Sequence, residues 1–176
     1  MRFFNTAGPV NCQDHYCLPP LTRFDLTEIL TLINQKKYFV LHAPRQSGKT
    51  SCLLALREYL NISGDYRSLY INVEAAQAAR EDVENGVRSI IVEINKRISQ
   101  SPVFTGSSVI NAELWDNTNA YSALNMVLSR LASIDNKPLI LLIDEIDALV
   151  GDTLISVLRQ IRSGYDSRPV HFPSSI

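Results

Sequence analysis

The feature that most constrains the fold is the segment "KPLILLIDEIDAL", in which the apolar residues Leu139 to Ile143 run without interruption into Asp144 and Glu145. A strand with one face in water alternates apolar and polar residues, because successive side chains point to opposite faces. A run without alternation needs cover on both faces, which is the environment of a parallel sheet in an α/β protein. The two carboxylates then stand at the strand's carboxyl end, the edge at which open α/β sheets place their ligand sites.

The rest of the chain offers the partners that such a strand needs. Tyr38 to His42 is a second short apolar run, expected as a buried strand, and "RSLYINVE" is a third strand candidate. Between them fall segments of helical period. "LTRFDLTEILTLINQKK" puts Leu26, Ile29, Leu30 and Ile33 on one face, with Asp25 or Thr27 as cap; a helix over Gly48 to Leu60 turns Leu53, Leu54, Leu56 and Leu60 inward. Further helices are expected at about Arg80 to Ser99, with Val83, Val87, Ile90, Ile91, Ile94 and Ile98 in phase, in "NAYSALNMVLSRLASI", and at about Asp152 to Ser163. The first twenty residues are rich in turn formers and are expected to wrap over the core. Strands alternating with helices imply a parallel sheet with helices on both faces. At 176 residues, 45% hydrophobic and 20% charged, the chain has the size and make-up of one globular domain.

Directly behind Tyr38 to His42 lies "APRQSGKTS", Ala43 to Ser51. A strand, a tight loop and a helix in this order form the context of a phosphate-binding loop, G-x-x-x-x-G-K-[ST]. Gly48 lets backbone amides approach phosphate oxygens, and the following helix adds unpaired N–H groups and the positive end of its dipole. Lys49 is expected on the β- and γ-phosphates and the Thr50 hydroxyl on Mg²⁺, with Pro44, Arg45, Gln46, Ser47, Gly48 and Ser51 completing the loop. Ala43 stands where the pattern has glycine. Because Pro44 biases the preceding residue toward extended geometry, Ala43 simply continues the strand, and the loop turns at Pro44 to Ser47. Arg45 and Gln46 are then expected over nucleotide or solvent.

Asp144 and Glu145 reach the same edge of the sheet as this loop. Asp144 is expected to hold Mg²⁺ through its water shell and Glu145 to act as general base on an attacking water; Asp147 suits a helix cap better. The guanine-reading string N-K-x-D of a GTPase is absent, since "NKPL" has no aspartate, and the adjacent acid pair favours attack by water over transfer to a bound acceptor.

The loop "APRQSGKTS" with "LILLIDEIDAL" resembles the AAA-like ATPases of the P-loop superfamily, close to bacterial and archaeal ATP-binding proteins whose loop reads G-P-R-x-[ST]-G-K-T; "FFNTAGPVNCQDHYCLPPL" resembles the segment that precedes the loop in a bacterial group of them. The likeness spans essentially the whole chain. It implies a three-layer αβα sandwich with a parallel sheet in the order 5-1-4-3-2, ATP and Mg²⁺ as cofactors, and Walker A and Walker B roles as assigned above. It also implies that residues 1–22 form an adenine-side segment, around His15 to Pro20, and residues 23–176 a partial core. In such a sheet a fourth strand, ending in a polar sensor residue, inserts between the loop strand and the acidic strand. The sequence stops at "HFPSSI", so that strand is expected to be missing and the edges of Tyr38 to His42 and Leu139 to Ile143 to be unjoined. Arg159, Arg162 and Arg168 are expected to be solvated or partner-facing.

Seventeen basic against eighteen acidic side chains give a net charge of -1, which supplies no general attraction for nucleic acid or anionic membrane. No apolar run approaches the ~20 residues of a membrane span, and the N-terminus lacks the pattern of a secretory signal. A cytoplasmic location is the expectation, and the odd set Cys12, Cys17 and Cys52 fits a reducing compartment. Cys12, His15 and Cys17 lack a fourth ligand at metal-site spacing. The functional expectation is Mg-dependent ATP hydrolysis in the core of a larger ATPase, with a protein partner or a further C-terminal domain. The alternatives are a nucleotide-binding switch with negligible turnover and, against the charge balance, a nucleic-acid-associated ATPase.

Overall fold

The structure, a computed structural model, describes residues 3–6, 11, 13–44, 46–104 and 119–176. Two strands, β1 (Arg67–Asn72) and β2 (Leu139–Asp144), pair in parallel with Arg67 opposite Leu139 and Asn72 opposite Asp144. Their side chains sort by parity. Leu69, Ile71, Leu139 and Leu141 enter one apolar cluster, whereas Tyr70, Ile140 and Leu142 enter another. An uninterrupted apolar sequence thus serves two cores at once, as expected for a strand covered on both faces.

Among the described residues five helices supply the cover: α1 (Leu26–Asn34), α2 (Lys49–Ser63), α3 (Val83–Ser99), α4 (Ala120–Ala132) and α5 (Gly151–Ser163). The larger cluster joins the sheet to α3, α4 and α5 through Val87, Ile90, Ile94, Leu124, Leu128 and Val157. The smaller one joins it to α1 and α2 through Ile29, Ile33, Leu53, Leu56 and Leu60. Each fully buried aliphatic side chain contributes about 1.5–3 kcal/mol, so the helices are held mainly by these faces. Helix starts follow the expected chemistry. Asp25 accepts from the Glu28 amide at 3.0 Å, Asp82 from the Asn85 amide at 3.0 Å, and Asn119 from the Tyr121 amide at 2.9 Å.

One strand expectation fails. Tyr38 to His42 forms no regular strand: Val40 is 81% exposed and Leu41 36% exposed. Only its first half is held. The Phe39 amide donates to the Ile176 carbonyl at 3.0 Å, while the Ser174 amide donates to Leu139 O at 2.7 Å and the Leu141 amide to Ser175 O at 3.0 Å. Residues 174–176 therefore lie between Phe39 and β2, running parallel to β2 with Ser175 opposite Ile140. The expectation that these two segments would be left unjoined is corrected at their lower ends. Beyond Phe39, residues 40–42 have no strand partner among the described residues, and an apolar sequence without one does not make a strand.

Arg168 is also corrected. It is no solvated arginine: Nε donates to Tyr165 O at 2.8 Å, its Nη1 donates to the carbonyls of Lys36 and Ser174, and its guanidinium stacks 3.3 Å from the Tyr165 ring centre and 4.9 Å from that of Tyr38. One side chain thereby fastens the end of α1's exit to the segment that fills the sheet. Among the cysteines, Cys52 is a free, buried thiol, but Cys17 is disulfide-bonded, contrary to the expectation of reduced thiols throughout. Among the described residues no helix is long and apolar enough to cross a membrane.

Candidate functional site

Parity explains how the two motifs meet. Asp144 shares the phase of Ile140 and Leu142, so its side chain leaves β2 on the side covered by α2. Thr50 stands in the first turn of α2, and its Oγ1 donates to Asp144 Oδ2 at 2.7 Å across 94 positions of sequence. Two residues chosen from separate motifs are thus in direct contact. Asp144 is only 4% exposed, and a buried carboxylate is tolerable only when its lone pairs are used. Besides Thr50, the Tyr70 hydroxyl donates to Oδ2 at 2.9 Å and the Glu145 amide to Oδ1 at 3.1 Å. Tyr70 lies on β1, one pleat repeat before the Asn72–Asp144 pair. Burial, then the charge of Asp144 and the hydrogen bond to it, push the Tyr70 phenol well above its ordinary range, so it stays a donor.

The loop has the expected turn. The Ser47 amide donates to Pro44 O at 3.4 Å, Gln46 takes a positive φ of 58°, and Gly48 follows at φ 85° as the N-cap of α2. Glycine is required by the positive φ of Gly48; a Cβ there would also lie 2.5 Å from Nη1 of Arg23, the end of a flexible side chain that could move aside. Among the described residues no side chain caps α2, whereas α1, α3 and α4 are capped, and the amides of Lys49, Thr50 and Ser51 have no intrahelical acceptor. The Ser47 hydroxyl is buried without a hydrogen-bond partner. Lys49 Nζ folds back onto the carbonyls of Ala43 at 2.9 Å and Pro44 at 3.2 Å. The loop therefore combines a cation, open amides and an unused hydroxyl, which is the donor set of an anion cradle.

Sequence reasoning missed two side chains here. Arg23 closes the 3₁₀ turn Pro20–Arg23 and lies against Gly48, with no ion pair among the described residues. The same turn covers Cys52, whose Sγ donates to Pro20 O at 3.3 Å; burial raises that thiol's pKa and the Arg23 charge opposes the rise. Tyr70 was the other. Both come from segments that look like core or turn, and their relevance lies in contacts between distant positions.

Other site candidates are placed less centrally. Glu145 follows Asp144 with φ 58° and an exposed side chain, and Asp147 is exposed on the next 3₁₀ turn. Pro44 and Gln46 are exposed, and Arg45 lies outside the described residues. His15 is occupied locally, accepting from the Asn11 amide at 3.0 Å and packing edge-on against Phe3 at 4.7 Å. A separate groove of about 450 Å³ lies between the starts of α3 and α4, but Glu81, Asp82 and Glu84 line it, and such acids repel rather than cradle an anion. No protein-family model matches the chain, and neither a curated protein nor a solved structure matches it.

Proposed function

We propose that the chain is a P-loop αβα nucleotide-binding core of the AAA-like type, which binds ATP with Mg²⁺ and hydrolyses it. The observation that carries the reading is the 2.7 Å hydrogen bond from Thr50 to Asp144 at the uncapped start of α2, beside Lys49. Two unrelated surface motifs would have no reason to converge there.

The residues present fit both groups. Lys49, the amides of residues 48–51 and the Ser47 hydroxyl suit a polyphosphate, with Arg23 as an added cation at the rim. Thr50 and Asp144 are hard oxygen donors, the type that Mg²⁺ prefers, and bound Mg²⁺ supplies charge neutralisation on the phosphate oxygens. On this reading Lys49 gives up its contacts with the Ala43 and Pro44 carbonyls to take phosphate oxygens. Glu145, exposed at the same edge, accepts the proton of the attacking water. A protein partner or a further domain would complete the surroundings. The charge of -1 gives no support to a nucleic-acid role.

Calorimetric ATP binding and phosphate release test this together. Lys49→Ala should weaken ATP binding by at least about tenfold, the loss of one charge-assisted phosphate contact. Glu145→Gln should keep binding and lose release. Unchanged affinity in Lys49→Ala would rule out the loop assignment. Binding without release in the unmodified protein would instead assign a nucleotide-controlled switch.

A further inference from the structure

A carboxylate offers two oxygens with two acceptor directions each. At Asp144 three of the four are taken. Oδ2 accepts from Thr50 at 2.7 Å and from Tyr70 at 2.9 Å, and Oδ1 accepts from the Glu145 amide at 3.1 Å. The remaining direction belongs to Oδ1. The torsion that would exchange the two oxygens is soft in an unrestrained aspartate, so something must hold it. Thr50 sits in the first turn of α2, directly behind the loop of residues 43–48. Tyr70 sits on β1, 3% exposed, in the same ladder as Asp144.

We propose that Tyr70 is the positioning residue of the cation subsite: by holding Oδ2 of Asp144 on the β1 side, it fixes the rotation of the carboxylate and leaves Oδ1 available to the water shell of a divalent cation at Thr50. This rests on the phosphate-loop reading. The Thr50 hydroxyl has one proton and two lone pairs; its proton is committed to Oδ2, which leaves its oxygen free toward the cation. The phenol also occupies the second direction of Oδ2, so the cation cannot draw that oxygen round without breaking a buried hydrogen bond.

Tyr70→Phe removes the hydroxyl and keeps the ring that packs with Ile140 and Leu142. ATP affinity is measured by calorimetry in EDTA and then across a Mg²⁺ titration. The Mg²⁺ concentration giving half of the affinity gain should rise by about tenfold to hundredfold, the usual loss when a ligand's hydrogen-bonding support is removed. The affinity in EDTA should stay within about twofold of the unmodified protein, a contrast that general loosening would not produce. In an Asp144→Ala background, Tyr70→Phe should change neither quantity. An unaltered Mg²⁺ titration, or equal losses with and without Mg²⁺, would overturn the inference. If Tyr70→Phe does not fold, Tyr70→Leu, which also lacks a donor and stands among the aliphatic Ile140 and Leu142, is judged by the same two numbers. Failure of the unmodified protein to bind ATP removes the phosphate-loop reading and this inference with it; normal binding with an unaltered Tyr70→Phe removes only the inference.

Discussion

The two segments that should have been matching strands, Leu139 to Ile143 and Tyr38 to His42, end up in opposite conditions. The first lies in a ladder with β1 along its whole length and has residues 174–176 along part of its other edge. Among the described residues the second has one backbone bond, from Phe39 to Ile176, after which Val40 and Leu41 are exposed. Both are short, mostly apolar runs, and the difference between them follows from what stands beside them. It divides the site as well. Asp144 and Tyr70 are fixed on the paired side, whereas the loop of residues 43–48 follows the unpaired segment and is held through the fold-back of Lys49 and the packing of α2.

The largest test of this contrast is a core truncation on the paired side. Leu128 on α4 is fully buried within the larger cluster. Leu128→Ala should cost about 2–5 kcal/mol, from lost transfer energy and the cavity left behind. Urea unfolding reads this as a lower midpoint with an unchanged slope. A cost under about 1 kcal/mol would mean that α4 is not packed as described.

A smaller effect belongs to the contact between α3 and α5. A Cβ on Gly86 would lie 2.4 Å from Cγ2 of Thr153, which is itself fully buried. Gly to Ala inside a helix normally stabilises by about 0.5–1 kcal/mol. Here crowding reverses the sign, and Gly86→Ala should destabilise by about 1–3 kcal/mol. Thr153→Ala in the same chain should recover part of the loss, because it removes the colliding methyl. Stabilisation by Gly86→Ala alone would place the two helices farther apart than they are here.

The paired half was legible in the sequence because its signals are local. Five aliphatic residues in a row dictate cover on both sides, and the phase of Ile90, Ile94 and Ile98 dictates which face of α3 turns inward. The meeting of Thr50 with Asp144 was legible too, since each motif fixes its residue to one end of its element. Tyr70 was not. Within "RSLYINV" it looks like one more apolar strand residue, and only the register of β1 against β2 sets its hydroxyl beside an acid 74 positions away. Arg168 escaped for the same reason, its partners being carbonyls and rings from Lys36, Tyr38, Tyr165 and Ser174. The misread strand at Tyr38 to His42 shows the limit: composition states what a segment prefers, while backbone pairing decides what it becomes.

The smallest expected effect bears most directly on that limit. Val40 is 81% exposed, so Val40→Ser removes little apolar surface from contact and should change stability by no more than about 0.5 kcal/mol. In a chain of this size that is a shift of roughly 1–2 °C in Tm, readable against the much larger shift of Leu128→Ala. ATP affinity should be equally indifferent, because Val40 precedes the loop and its side chain is largely exposed. A loss of 2 kcal/mol or more would show that Val40 is covered in solution, and hence that residues 40–42 pair with something there. The two segments would then differ less than they do here, and the loop of residues 43–48 would rest on a strand after all.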